Sequence, residues 1–295
     1  MFYTGFADEA ANDLDLQLNA LELLGWHHLE ARNLFNGNLA SISDEEFEIL
    51  QEKLQEKNIS INCFGSSIGN SGKSILASPE SSYEEMRKAI PRMQKLGIKM
   101  VRMMSFGIPK EEKESAMEKY LDEVVKRVKV LCNMAEEAGI LCAHENCVNF
   151  GGLSAEHTLR ILEKVDSPAL KLIMDTGNPV FSDDMSKPFP RPKQSSWEFY
   201  SKVKEFVVYI HIKDAVMDGE KIIYTFPFEG HGDVEKIVKD MLKNGYNGGF
   251  SIEPHLFHRL DKSIPEEERQ KMAFDLFIEY GKRFEAKVND FASCK

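Results

Sequence analysis

The chain has 295 residues, 42% of them hydrophobic and 29% charged, and its 37 Lys+Arg against 48 Asp+Glu leave a formal charge of −11. That apolar share can fill a core, which rules out disorder as the dominant state. The acidic balance argues against binding to a phosphate backbone, because no basic excess exists to release counterions.

Taken in chain order, short runs of β-formers alternate with longer amphipathic stretches. The first strand is predicted over 2–7, within an N-terminal segment, MFYTGFADEA, that lacks the basic start of a secretory signal. A helix over 13–24 runs into Gly25, and a strand follows over 27–32. Then come a helix over 44–57, a strand over 60–64, and a helix over 82–96 that stops at Gly97. The strand over 100–105 precedes a long helix over 114–138 ending on Gly139. Strand 141–146, helix 154–164 and strand 170–175 continue the alternation. The segment 182–194 carries Pro188, Pro190 and Pro192 and cannot be a helix interior. It is a stiff surface loop, a lid or a subunit contact. Helix 195–204, strand 207–212, helix 234–244 with Gly245 behind it, and strand 249–253 complete the series. A last amphipathic helix over 266–284 offers Met272, Phe274, Leu276, Phe277, Tyr280 and Phe284 for core packing. Four of the helices thus place Gly where a left-handed C-terminal residue is needed.

Strands alternating with helices imply a parallel sheet, since each crossover returns the chain to the same edge. Eight such units predict a (β/α)8 TIM barrel with a C-terminal helix, as one domain spanning 1–295. An open doubly wound sheet is disfavoured: the loop after the first strand reads Gly5-Phe6-Ala7-Asp8-Glu9-Ala10, an acidic turn that could not cradle a pyrophosphate. No run approaches the roughly 18 consecutive apolar residues of a membrane helix. The cysteines (63, 132, 142, 147 and 294) are odd in number and lack the paired spacing of a zinc site, which suits a reducing compartment. A cytoplasmic protein with no membrane or nucleic-acid partner is expected.

A barrel builds its active site at the C-terminal ends of its strands. Four successive predicted strands end on a metal-type ligand: Glu145, Asp175, His211 and Glu253. Carboxylates converging on one barrel mouth would repel one another unless a cation or a proton binds there. Three carboxylates and one imidazole make a mostly hard site that suits a divalent ion such as Mn2+, Mg2+ or Co2+, with Zn2+ also accepted, and ligand type alone does not choose among them.

The runs HENC at 144–147, MDTGN at 174–178, HIKD at 211–214, the turn Gly230-His231-Gly232-Asp233 and SIEPH at 251–255 resemble the xylose isomerase-like TIM-barrel superfamily, and within it the sugar phosphate isomerase/epimerase group. The resemblance runs from the second strand, Leu29-Glu30-Ala31, to the eighth. It implies that Glu145, Asp175, His211 and Glu253 hold one metal, and that Glu145 and Glu253 double as the catalytic acid and base. It implies a small keto-sugar or sugar phosphate as substrate, proton transfer through a metal-stabilised enediolate, and a place in carbohydrate metabolism. Barrels of this group often pair, which leaves a homo-oligomer open. A dehydratase of inosose-like compounds on the same site, or a non-catalytic sugar-binding barrel, are the alternatives.

The departures from the superfamily narrow the choice. The branch that repairs abasic DNA carries extra histidines after strands three and four, where this chain reads Cys63-Phe64-Gly65-Ser66 and Met103-Met104-Ser105-Phe106. A histidine that commonly follows the sixth-strand Asp by three residues is Asn178 here, a poorer metal ligand, so one metal is expected and Asn178 is assigned to substrate. Ketose 3-epimerases tend to have an arginine where Met217 stands. Lys213 is assigned to a substrate oxygen, with a salt bridge to a neighbouring acid as the alternative. Glu30 is expected to orient a substrate hydroxyl or make a structural hydrogen bond, and His231 to reach substrate from the rim. Arg102, near the start of its predicted strand, is a weaker candidate for a phosphate contact. His144 is expected to be structural, and His255 and His258 to line the rim.

Overall fold

Helix boundaries follow from local chemistry. In the computed structural model, which describes residues 1–293, Asp13 caps α1 (Leu14–Leu24) by accepting from the Leu16 N–H, and Gly25 closes it at φ 71°. Ser43 and Glu46 form a reciprocal capping box at α2 (Asp44–Glu56). Gly97, at φ 69°, closes α3 (Glu80–Leu96). After α4 (Ala116–Glu137), Ser154 and Ser195 cap α5 (Ala155–Val165) and, beyond the single turn α6 (Asn178–Phe181), α7 (Ser196–Val203). The last two helices are α8 (Val234–Lys243) and α9 (Glu266–Ser293). Among the described residues, no helix is long and apolar enough to cross a membrane.

Among the described residues there are ten strands: β1 (Phe2–Gly5), β2 (His28–Ala31), β3 (Ser60–Phe64), β4 (Met100–Met103), β5 (Leu141–Glu145), β6 (Leu170–Asp175), β7 (Val207–Ile212), β8 (Ala215–Asp218), β9 (Lys221–Tyr224) and β10 (Gly249–Ile252). Eight form one parallel sheet in the order β1-β10-β7-β6-β5-β4-β3-β2, and its edges β1 and β2 lie against each other, so the barrel is nearly closed. This is the (β/α)8 TIM barrel expected from the alternation. Side chains alternate across each strand. One set enters the barrel, where Cys63, Ala143, Ile173 and Tyr209 form a small apolar layer below the mouth. The other set packs outward on the helices in a larger core that includes Val101, Cys142, Leu172 and Ile210. Cys63, Cys132 and Cys142 are buried and Cys147 is partly so, all as free thiols, while Cys294 lies outside the described residues.

Two elements differ from expectation. β8 and β9 form an antiparallel hairpin between β7 and α8, turning at Gly219 and Glu220, in a stretch where no strand was expected. The closing helix continues past Phe284 to Ser293. Its buried stripe of Phe277, Tyr280 and Phe284 extends one turn to Val288, and the Tyr280 hydroxyl donates to the Ile212 carbonyl at 3.1 Å. Met272, Phe274 and Leu276 are only half-buried. The proline segment is tied down: Gln194 donates to the Gly152 carbonyl at 2.8 Å, and the Met185 N–H donates to the Leu153 carbonyl at 3.0 Å. Phe189 projects from it, 83% exposed.

Candidate metal centre

The sheet order places four chemistry-bearing strand ends side by side. Glu145 ends β5, Asp175 ends β6, His211 pairs in register with Asp175 from β7, and Glu253 follows β10 with its N–H on the Ile212 carbonyl. Their side chains are buried, and one ligand atom from each lies within 4.8 Å of the others. Glu253 and Glu145 stand at the two ends of this arc, with His211 and Asp175 between them.

Each of the four side chains has a partner behind it. The Glu30 carboxylate lies 3.1 Å from His211 Nε2 through both oxygens and accepts from Ser251 Oγ at 2.6 Å. A ring nitrogen that donates to a carboxylate leaves the other nitrogen to ligate. That other nitrogen, Nδ1, is buried without a hydrogen bond, 3.6 Å from Glu145 Oε1 and 3.8 Å from Glu253 Oε2. Arg102 Nη1 holds Glu145 Oε2 at 3.1 Å and Arg32 Nη1 holds Glu253 Oε1 at 3.0 Å, both guanidinium groups lying over the Phe6 ring. Asp175 Oδ1 accepts from the N–H groups of Gly177 at 2.9 Å and Asn178 at 2.6 Å, and Asn178 Nδ2 donates to Glu145 Oε1 at 3.1 Å.

The electrostatics divide the four groups. Burial opposes ionisation of Glu145, yet Arg102 and His211 outweigh it and bring the carboxyl to about 2. Glu253 is likewise held well below the usual carboxylate range by Lys213, His255, His211 and Arg32 against the cost of burial. Asp175 goes the other way, to about 7, because burial and the charges of Glu253 and Glu145 exceed the help from Lys213. His211 is raised to about 10 by Glu30 and Glu145 despite burial. Protons thus gather where carboxylates crowd. The unpartnered Nδ1 and a donor set of three carboxylates and one imidazole fit one divalent cation.

The predicted residues fall into two groups. Glu145, Asp175, His211 and Glu253 come together, and Asn178, Lys213 and Glu30 each touch one or more of them. His231 makes no hydrogen bond or ion pair with any of the four; it is exposed, and its turn serves another purpose. The N–H groups of Gly230 and Gly232 donate to the Asp214 carboxylate at 2.9 and 2.8 Å. Glu30 is fully enclosed and engaged by His211 and Ser251. His144 points out of the ligand set, with Nε2 2.9 Å from Ser105 Oγ, and burial takes it down to about 4.

Sequence reasoning undervalued Arg102 and did not single out Arg32. The period-2 rule exposes both: Arg32 stands two residues past Glu30, and Arg102 lies in register with Ala143, two residues before Glu145. Tyr224 was also missed, because it arrives on the unexpected hairpin; its ring meets that of His255 edge-on at 5.0 Å. His255 Nε2 lies 3.8 Å from Glu253 Oε1, and its Nδ1 pairs with Glu9 at 2.7 Å. Beside the cage, a cavity of about 520 Å3 is lined by Asp8, Glu9, Arg32, His258 and Lys262 among others.

A family model described as xylose isomerase-like TIM barrel matches residues 15–278. No curated protein matches the sequence. Among solved structures, the chain is similar to the IOLI protein with a bound zinc atom, at 16% identity and a TM-score of 0.71 over 98% of each chain. It is similar to a xylose isomerase-like TIM barrel protein from Mycobacterium smegmatis in complex with magnesium, at 19% identity and a TM-score of 0.64, covering 90% of this chain and 87% of the other. D-allulose 3-epimerase from Methylomonas sp. in complex with D-allulose shares 14% identity and a TM-score of 0.64 over 97% of each chain.

Proposed function

The chain belongs to the xylose isomerase-like TIM barrel family, and from that membership we propose that it is a divalent-metal-dependent isomerase or epimerase of a small keto-sugar, free or phosphorylated. The observation that carries this reading is the buried arc of four ligands within 4.8 Å of one another, ending at each side on a glutamate backed by its own arginine. Glu145, Asp175, His211 and Glu253 would hold the ion, with Mn2+ preferred; the magnesium and zinc carried by two similar structures support a divalent site. Bound there, it supplies a Lewis acid that polarises a substrate carbonyl and makes the adjacent C–H acidic.

The rest of the chemistry falls to the chain's own residues. One of Glu145 and Glu253 takes the proton from the carbon beside the carbonyl, and the other returns one. Return to the opposite face of the same carbon gives an epimer, and return to the neighbouring carbon interconverts aldose and ketose. Arg102 and Arg32 each grip the far oxygen of a glutamate, so Glu145 Oε1 and Glu253 Oε2 remain turned toward His211 Nδ1. Asn178 and Lys213 contribute donors at the same mouth for substrate oxygens. The substrate class draws support from the bound D-allulose of a similar barrel.

Turnover of a ketose panel in deuterated water, followed by proton NMR, tests the proposal. The wild-type protein should exchange deuterium into the carbon next to the carbonyl. Glu253→Gln should lose roughly 10²–10⁴-fold of that rate while unfolding as a cooperative unit like the parent. Equal exchange by the variant would remove Glu253 from the chemistry, and loss of water from the substrate would mark a dehydratase.

A further inference from the structure

Lys213 has a position that a substrate contact does not explain. Its side chain is 3% exposed, and its Nζ lies 2.8 Å from Asp175 Oδ2 and 2.9 Å from Glu253 Oε2. Both are oxygens of the ligand arc, and Glu253 Oε2 is the one that faces His211 Nδ1. Asp175 Oδ2 is buried with no well-directed hydrogen bond, so charge alone ties it to the ammonium. A divalent ion bonded to these two oxygens at about 2.0–2.6 Å would sit within a few ångströms of Nζ. Two cations so close in a buried site repel strongly, so both cannot keep these contacts.

The base of the side chain is fixed. Gly177 packs against it so closely that a Cβ there would meet Lys213 Cγ at 2.6 Å, and the Lys213 backbone is locked to the Thr176 hydroxyl on both its N–H and its carbonyl. Movement is left to the outer bonds of the lysine.

Resting on the metal reading above, we infer that Lys213 is the cage's internal counter-cation: it holds Asp175 and Glu253 together until a divalent ion displaces its ammonium, which then becomes available to a substrate oxygen. Metal therefore binds before substrate. The ammonium also keeps neighbouring carboxylates from repelling one another in the metal-free protein.

Calorimetric titration of chelator-stripped protein with Mn2+ tests this, using Lys213→Met to keep the stem and remove the charge. The variant should bind Mn2+ at least tenfold more tightly than the parent, have a lower metal-free Tm, and gain more Tm on adding Mn2+. Equal or weaker Mn2+ binding by the variant would overturn the inference while leaving the metal site standing. No Mn2+ binding by either protein would overturn the metal reading and this inference with it. A second measurement needs no variant: acetic anhydride labelling read by mass spectrometry should find Lys213 protected without metal and labelled faster with Mn2+. Unchanged protection would refute its release.

Discussion

Glu30→Gln separates a residue that orients a metal ligand from one that touches substrate. The carboxylate is fully buried, with both oxygens 3.1 Å from His211 Nε2 and a hydrogen bond from Ser251 at 2.6 Å. Glutamine preserves the volume and one acceptor, and Ser251 can reorient its hydroxyl, so the fold should persist. What is lost is the negative charge that fixes the tautomer and raises the basicity of Nδ1. Partners of this kind behind a ligating histidine are worth about 10–100-fold in metal affinity, or about 1.4–2.8 kcal/mol. Calorimetric titration of the stripped protein with Mn2+ measures the loss directly, and KM at saturating Mn2+ should change little. An unchanged Mn2+ affinity with a raised KM would refute the reasoning and place Glu30 against the substrate.

Two further predictions concern stability. Phe284 is fully buried between Phe228, Phe250 and Tyr3 at centroid distances of 5.8, 5.6 and 6.1 Å, so Phe284→Ala should cost about 3–5 kcal/mol in urea unfolding; a loss below about 1 kcal/mol would mean that α9 is not part of the core. His157 is taken from 6.5 to about 4 by burial beside Phe150, so between those pH values the unfolded chain binds more protons than the folded one. Stability should therefore fall on acidification through that window, by up to about 3 kcal/mol from this residue. His157→Phe should flatten that part of the stability profile, and an unaltered slope would assign it elsewhere.

The barrel was readable because its signals are local. Caps, left-handed glycines and runs of β-formers each lie within a few residues, and parallel pairing follows from the alternation itself. The β8–β9 hairpin is local too, with Ala215-Val216-Met217 and Ile222-Ile223-Tyr224 on either side of an Asp218-Gly219 turn, but an alternation of single strands and helices leaves no place for it. That Glu145, Asp175, His211 and Glu253 would meet was legible from acids and a histidine at strand ends, a purely sequential property. Their partners were not. Arg102 was placed near the start of a strand taken to reach residue 105, whereas β4 stops at Met103 and sets the guanidinium against Glu145. Arg32 reaches Glu253 across 221 residues of chain, a contact only barrel closure creates. His231 is exposed as a rim residue would be, and what its motif did not disclose is that the glycines on either side donate to Asp214.

The most direct test of a single metal held at the mouth is anomalous diffraction from a crystal soaked with Mn2+ and a ketose. The predicted result is one Mn2+ peak bonded to Glu145, Asp175, His211 and Glu253, with the reacting carbon between the two glutamates and the Lys213 ammonium withdrawn from Asp175. A peak elsewhere, or none at these four residues, would contradict the account.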